Sequence, residues 1–297
     1  MSGKETEKFT NEAMTLVAWV YRQANTEHFR LCADFMHFFW VIDDITDHQS
    51  SVENQHVAAN MECILADPSE MPCDDGVLEK MCRSFWTNIL DQLNSLTATK
   101  DRFVSHLMSY MEAVQEKTKD RETGRLRSRS EHFDLRRRTG GVRPSFDFIY
   151  MPFHLSEHVV NHEVIERMAV TTGDLVVIAN DVYSYNVEQA GGQKRVAHNI
   201  VDVVLRERGR GVQDAMDVVG KMYRDLSISL LNDYNNLPQF DKIGQNEVIQ
   251  EYALGLLDWV EANVEYSLNS QRYFGKEAGS QKVRISRMVK LLPKKGQ

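Results

Sequence analysis

Apolar residues recur at three- and four-residue spacing along nearly the whole chain, and the strict alternation of a half-buried strand is missing. That pattern predicts helices and no sheet. Helical segments are expected at 11–23, 26–48, 51–66, 77–94, 100–138 with a break near Gly124, 161–190, 197–208, 211–236 and 246–270. Turn chemistry separates them, at Asp67-Pro68, Met71-Pro72, Gly140-Gly141, Gly191-Gly192 and Asn235-Asn236-Leu237-Pro238. The segment from Thr26 has a capping residue and an almost wholly apolar body from Phe29 to Ile42, so it predicts a buried helix. No internal repeat, low-complexity tract or long linker interrupts the pattern, and one all-α domain over 1–297 is expected. A chain of 297 residues buries about three quarters of its unfolded surface, enough for a deep apolar cavity.

Two of these apolar helices end in acid. Asp43-Asp44-Ile45-Thr46-Asp47 follows an aromatic run, and Asn180-Asp181-Val182-Tyr183-Ser184-Tyr185-Asn186-Val187-Glu188 follows Leu175-Val176-Val177-Ile178-Ala179. At about 100° per residue, Asp43 and Asp47 lie roughly 40° apart on their helix, and Asn180, Ser184 and Glu188 fall on one narrow stripe. Unpaired carboxylates there would repel one another and resist burial, so cationic partners are expected. Both stripes offer oxygen and no imidazole or thiolate, a donor set that suits a hard cation such as Mg²⁺ sharing phosphate oxygens. Phe39 lies one turn before Asp43 on the same face and Trp40 three residues before it, so aromatic rings adjoin the acidic rim.

Charge narrows the class of partner. A net charge of −8 disfavours broad binding to nucleic acid or anionic membrane. The positive charge is nonetheless clustered, at Arg121, Arg125, Arg127, Arg129, Arg136, Arg137, Arg138 and Arg143, and again at Lys276, Lys282, Arg284, Arg287, Lys290, Lys294 and Lys295. Local basic patches on an acidic chain suit a small polyanion. The run from Arg121 to Arg129 reads first as a solvated helix face. Cys32, Cys63, Cys73 and Cys82 form no Cys-x-x-Cys pair and read as reduced thiols. With no apolar signal core and no stretch long enough to span a bilayer, a cytoplasmic protein without stable membrane insertion is expected. His154, His158 and His162 recur every four residues, but no further ligand completes a zinc site.

The two acidic motifs in this order resemble the Mg²⁺-binding motifs of class I terpene synthases. Tyr183-Ser184-Tyr185-Asn186-Val187-Glu188-Gln189 with His198-Asn199, Leu135-Arg136-Arg137-Arg138-Thr139-Gly140-Gly141, and Arg272-Tyr273-Phe274-Gly275 are similar to fungal sesquiterpene synthases. The resemblance implies a helical bundle around a central apolar cavity. It also implies Mg²⁺, as three ions shared with the substrate diphosphate, held by Asp43, Asp47, Asn180, Ser184 and Glu188. The diphosphate-sensing arginine carries over to Arg137, with Arg136 as the alternative. The helix break after it falls on Gly140 and Gly141, and Arg272 and Tyr273 become further diphosphate ligands.

The implied reaction is ionisation of farnesyl diphosphate and cyclisation of the carbocation to a sesquiterpene hydrocarbon or alcohol, by a monomer or homodimer. Phe39 leads the rings that could face the cation, followed by Trp40, Tyr183, Trp259 and Tyr266, the last standing where the family commonly has Trp. A prenyl chain-elongating transferase would show a second Asp-Asp-x-x-Asp motif in place of Asn180-Ser184-Glu188. Protonation-initiated cyclisation would need Asp-x-Asp-Asp, which the chain does not contain. The first acidic motif comes earlier in the chain than in family members. That leaves room for the usual first helices to be absent, and for a non-catalytic relative with an incomplete cavity.

Overall fold

The computed structural model describes residues 3–69, 76–93, 97–151, 155–192, 197–240, 244–275 and 277–294. Among them there are helices and no strand, as the periodicity predicts. The first five are α1 (Gly3–Val20), α2 (Thr26–His48), α3 (Ser51–Ala66), α4 (Val77–Leu93) and α5 (Thr97–Thr123). Next come α6 (Arg129–Thr139), α7 (Val142–Tyr150), α8 (Glu157–Val160) and α9 (Glu163–Ala190). The chain continues through α10 (Ile200–Arg208), α11 (Val212–Asn235), α12 (Gln245–Asn269), α13 (Gln271–Phe274) and α14 (Glu277–Ser286).

Capping chemistry sets the boundaries that matter for the site. The Asn25 side chain accepts the His28 N–H, so α2 starts at Thr26 as expected but is capped by the residue before the threonine. Ser128 and Glu131 form a reciprocal capping box at the start of α6, so the expected break after Gly124 becomes a fixed corner. The break at Gly140-Gly141 also holds. Gly141 adopts φ +66°, a left-handed turn that starts α7.

Helix α7 was not expected from the pattern. Pro144 sits in its first turn, where the missing N–H costs nothing, and the Gly-Gly pair before it masks the helical signal. Helix α14 was not expected either, nor was the reach of α1 back to Gly3, where charged residues obscure any period. The expected helix at 161–190 begins at Glu163, with the His162 ring accepting the Val164 N–H as its cap.

The core forms around α2. Phe35 stacks on Phe148 with ring centroids 4.5 Å apart and meets Phe103 and Phe85 at 5.7 and 5.8 Å. Burying one such ring contributes roughly 1.5–3 kcal/mol. Helix α9 packs against α6, α7, α10, α11 and α12, and a smaller apolar cluster of Ile178, Tyr185, Ile200, Val203 and Val219 fixes its far side. Cys32 and Cys82 are buried free thiols and Cys63 is partly buried, while Cys73 lies outside the described residues. His158 and His162 pack edge-on against Phe240 instead of lining up as ligands, and His154 lies outside the described residues. Met71-Pro72, Gln193-Lys194-Arg195, Lys276 and Lys295 also fall outside them. No described helix is long and apolar enough to cross a membrane.

Candidate active site

Each acidic stripe has a cationic partner, Lys117 at the exposed Asp47 of α2 and Arg136 at the buried Asp181 of α9. On α2, the Asp47 carboxylate accepts from Lys117 Nζ at 2.7 Å, and the Tyr110 hydroxyl donates to Asp43 Oδ1 at 3.2 Å. Burial pushes the Asp47 carboxyl up, but Lys117, with Arg121 and Arg136 behind it, holds it below its usual range. Both new partners come from α5, whose polar surface gave no sign of which lysine or tyrosine would turn inward. Arg121, read as part of a solvated face, also bonds the Gln49 carbonyl at 3.0 Å at the end of α2. Arg125, Arg127 and Arg129 instead pair with acids of their own surroundings.

On α9 the decisive residue is Arg136. Its Nη2 donates to Asp181 Oδ1 at 2.7 Å and to Asn180 Oδ1 at 3.0 Å, and its Nε donates to the same Asp181 oxygen at 3.0 Å. Burial alone would lower the Arg136 pKa, yet the charges of Asp181, Glu188 and Asp43 raise it. Asp181 is 2% exposed, and its other oxygen meets His132 at 3.3 Å and the Ile200 N–H at 2.8 Å. Burial pushes its carboxyl up, and Arg136 with His132 pulls it down further than that. Asp181 is therefore a fixed anchor for the guanidinium. Arg137, the expected sensor, points elsewhere: it pairs with Asp174 at 2.8 and 2.9 Å, six residues before Asn180, and its side chain stays 41% exposed. The structure thus brings the alternative arginine, and not Arg137, to the motif.

Glu188 carries the contrasting electrostatics. Burial and the nearby Asp181 push its carboxyl up, against the pull of Asn199, Ser184 and Arg136. Asn199 caps α10 through its Oδ1 and uses its Nδ2 to donate to Glu188 Oε2 at 2.9 Å and to the Asp181 carbonyl at 2.7 Å. One asparagine so ties the last turns of α9 to the next helix.

Two further elements span both stripes. The Tyr273 hydroxyl on α13 accepts from Asn180 Nδ2 at 3.0 Å, while the adjacent Arg272 feels the charge of Asp43 on α2. Arg136 likewise interacts with Asp43 and Asp47 on one side and Asp181 and Glu188 on the other. The charges of the α2 and α9 clusters are thus both felt by arginines on α6 and α13.

The aromatic expectation divides. Phe39 is 7% exposed and meets Tyr110 at 4.5 Å, and a Cβ placed on Gly141 would come within 2.1 Å of its ring. The glycine at the helix break is what lets Phe39 occupy this position. Trp40 packs edge-on against Tyr266 at 5.8 Å. Trp259 lies between Tyr21 and Phe146, and Tyr183 faces Phe274 and the Glu265–Arg284 pair.

Most of this arrangement falls within one family match. Residues 34–227 fit the model of terpene synthase family 2, C-terminal metal binding, a span that contains both acidic stripes and the arginine segment. The chain belongs to the terpene synthase family. A sesquiterpene synthase of Postia placenta is 34% identical to this terpene synthase over 289 residues, covering 97% of the chain and 82% of the relative. A Δ6-protoilludene synthase of Stereum hirsutum is 31% identical over 280 residues, covering 94% and 78%. In fold, the terpene synthase overlays on the linalool/nerolidol synthase of Streptomyces clavuligerus with a TM-score of 0.76 at 18% identity, across 90% of this chain and 89% of that one. The chain is an enzyme, a terpene cyclase with a divalent-metal-binding region.

The residues present fit such a metal. Among the described residues no three His, Cys, Asp or Glu side chains gather into a cluster that could hold an ion. On α9 the Asn180 and Ser184 oxygens share one stripe with Glu188, which is the donor set of a hard cation. The raised Glu188 carboxyl also marks a place where added positive charge would be favourable.

Proposed function

We propose that this terpene cyclase is a Mg²⁺-dependent sesquiterpene synthase, a single catalytic domain over 1–297 that ionises farnesyl diphosphate and cyclises the resulting cation with release of diphosphate. What supports the reading best is that Arg136 and Tyr273 bond Asn180 on α9 while Arg136 and Arg272 also lie in the electrostatic field of Asp43 on α2. Asp43 and Asp47 on α2 and Asn180, Ser184 and Glu188 on α9 would hold the ions. When bound, Mg²⁺ supplies the positive charge that stabilises the departing diphosphate.

The chain's own residues do the rest. Arg136 is the sensor in this reading, because its fork lies at the α9 motif, is held by Asp181 and stays protonated at any working pH. Arg272 adds a second guanidinium and Tyr273 a hydroxyl, both able to grip diphosphate oxygens. Lys117 neutralises Asp47 from outside the cluster and keeps its carboxylate ionised. Phe39 stands one turn below Asp43, where its face can stabilise the nascent cation by about 0.5–2 kcal/mol, and buried rings around it exclude water. Trp40 and Tyr266 form the next wall.

The test is to incubate the purified protein with Mg²⁺ and, separately, geranyl, farnesyl and geranylgeranyl diphosphate, then identify volatile products by mass spectrometry. Farnesyl diphosphate should give a cyclic fifteen-carbon product as the preferred reaction. A longer prenyl diphosphate formed only when isopentenyl diphosphate is added, or no turnover of any of the three substrates, would contradict the proposal.

A further inference from the structure

The segment from Ile285 to Lys294 has no role in the site just described, yet it gathers exposed apolar side chains densely. Ile285, Met288, Val289, Leu291 and Leu292 are 85, 74, 41, 44 and 46% exposed. Among the described residues they make up five of the twelve large exposed apolar side chains, gathered within eight residues. Scattered exposed apolar residues are ordinary, but a contiguous run marks a contact surface.

Cations are interleaved with them. Arg287, Lys290 and Lys294 are exposed, as is Lys282 one turn earlier, and the chain from Ser280 to Lys294 contains no acid. Arg284 is spent on Glu265. In a protein with a net charge of −8 this is a local reversal of sign.

The segment is also fixed in place. Arg287 adopts φ +55°, a conformation that side chains other than glycine rarely take, and turns the chain sharply out of α14. Beyond that turn, Asn186 Oδ1 accepts the Leu292 N–H at 2.8 Å and its Nδ2 donates to the Lys290 carbonyl at 3.3 Å. Gln189 Nε2 donates to the Leu292 carbonyl at 2.8 Å. The side-chain amides of α9 thus tie down the backbone, leaving the basic and apolar side chains exposed.

We propose that residues 285–294 dock this enzyme on an anionic lipid surface, with Met288 and Leu291 entering the headgroup boundary and Lys290 and Lys294 pairing with lipid phosphate. Apolar side chains interleaved with cations match that boundary, where buried apolar area and attraction to acidic headgroups add. Nucleic acid would make no use of the apolar half. A second copy of the chain, placed symmetrically, would bring two acid-free basic segments together. The contact is peripheral and needs no spanning helix.

Co-sedimentation with vesicles tests it. The intact protein should partition onto phosphatidylcholine vesicles containing about one third phosphatidylserine, weakly or not at all onto phosphatidylcholine alone, and less as salt rises past the screening range. Lys290→Glu with Lys294→Glu, and separately Ile285→Ser with Met288→Ser and Leu291→Ser, should each reduce partitioning by about tenfold or more. Circular dichroism and vesicle-free turnover should stay unchanged. Equal binding to both vesicle types, no binding to either, or variants that partition like the wild type would overturn the proposal. So would a vesicle-free dimer that the same substitutions dissolve, which would assign the surface to self-association. The salt series on unmodified protein decides the electrostatic part even if a variant fails to fold.

Discussion

A methyl group on Gly141 would have to enter the ring of Phe39, and it would do so from a left-handed backbone that alanine resists. Gly141→Ala should therefore destabilise the protein by about 2–4 kcal/mol and reduce turnover more than a surface glycine change, as read by urea unfolding alongside product assay. Gly124, also left-handed but with open space around it, is the control, expected to cost only about 1–2 kcal/mol. The two neighbouring arginines make a second contrast. Arg136→Lys keeps the charge and loses the fork, so turnover should fall by about a hundredfold with the helical spectrum intact. Arg137→Ala leaves the buried Asp174 carboxylate without its guanidinium and so should cost stability, but it takes no arginine from Asn180 and Asp181 and should change turnover less than about fivefold. That an arginine from this segment serves the site was legible in Arg136-Arg137-Arg138 before Gly140-Gly141. Which one was not, because adjacent residues point about 100° apart and only the docking of α6 on α9 decides which of them faces the motif.

At the scale of elements, α6 is the bracket that carries Arg136, and its capping box is acid-sensitive. The Ser128 N–H, then the Ser128 hydroxyl and Arg125, hold the Glu131 carboxyl down at about 2, below its usual range. A depressed carboxyl contributes stability that is present above the ordinary glutamate range and lost as pH falls towards its folded value. Hydrogen exchange in the first turn of α6 should thus speed up as pH drops from roughly 4.5 to about 2, after correction for intrinsic rates, and Glu131→Gln should flatten that dependence. An unchanged profile in the variant would show that another group controls the turn. Long elements such as α2 and α9 were readable because sustained apolar runs at helical spacing have to be buried. Helix α7 was not, since Pro144 and two glycines look like a loop until the tight approach to Phe39 is known. The contribution of α5 was hidden for a different reason: Lys117 and Tyr110 meet Asp47 and Asp43 across more than sixty residues of sequence, and pairing at that range leaves no local trace.

For the molecule as a whole, the account requires two stripes from distant parts of the chain to act as one binding site. The order of the motifs made that expectation available from the sequence, whereas in the structure it rests on α6 and α13, whose arginines feel the charges of both clusters. Ligand binding to such a site stabilises the native state in proportion to its occupancy. Mg²⁺ with inorganic diphosphate, at about a hundred times the dissociation constant, should raise the melting temperature by roughly 5 °C, since about 2.7 kcal/mol of stabilisation is expected. A chelator should abolish the shift. The most direct measurement is a double-mutant cycle on the affinity for inorganic diphosphate with saturating Mg²⁺, using Asp43→Asn, Glu188→Gln and the pair together in titration calorimetry. Each single change should weaken binding by at least about tenfold, and the double variant should lose little more than either alone, because the two residues serve one bound group. Losses that simply multiply, or a single change without effect, would mean that the stripes on α2 and α9 do not share a diphosphate.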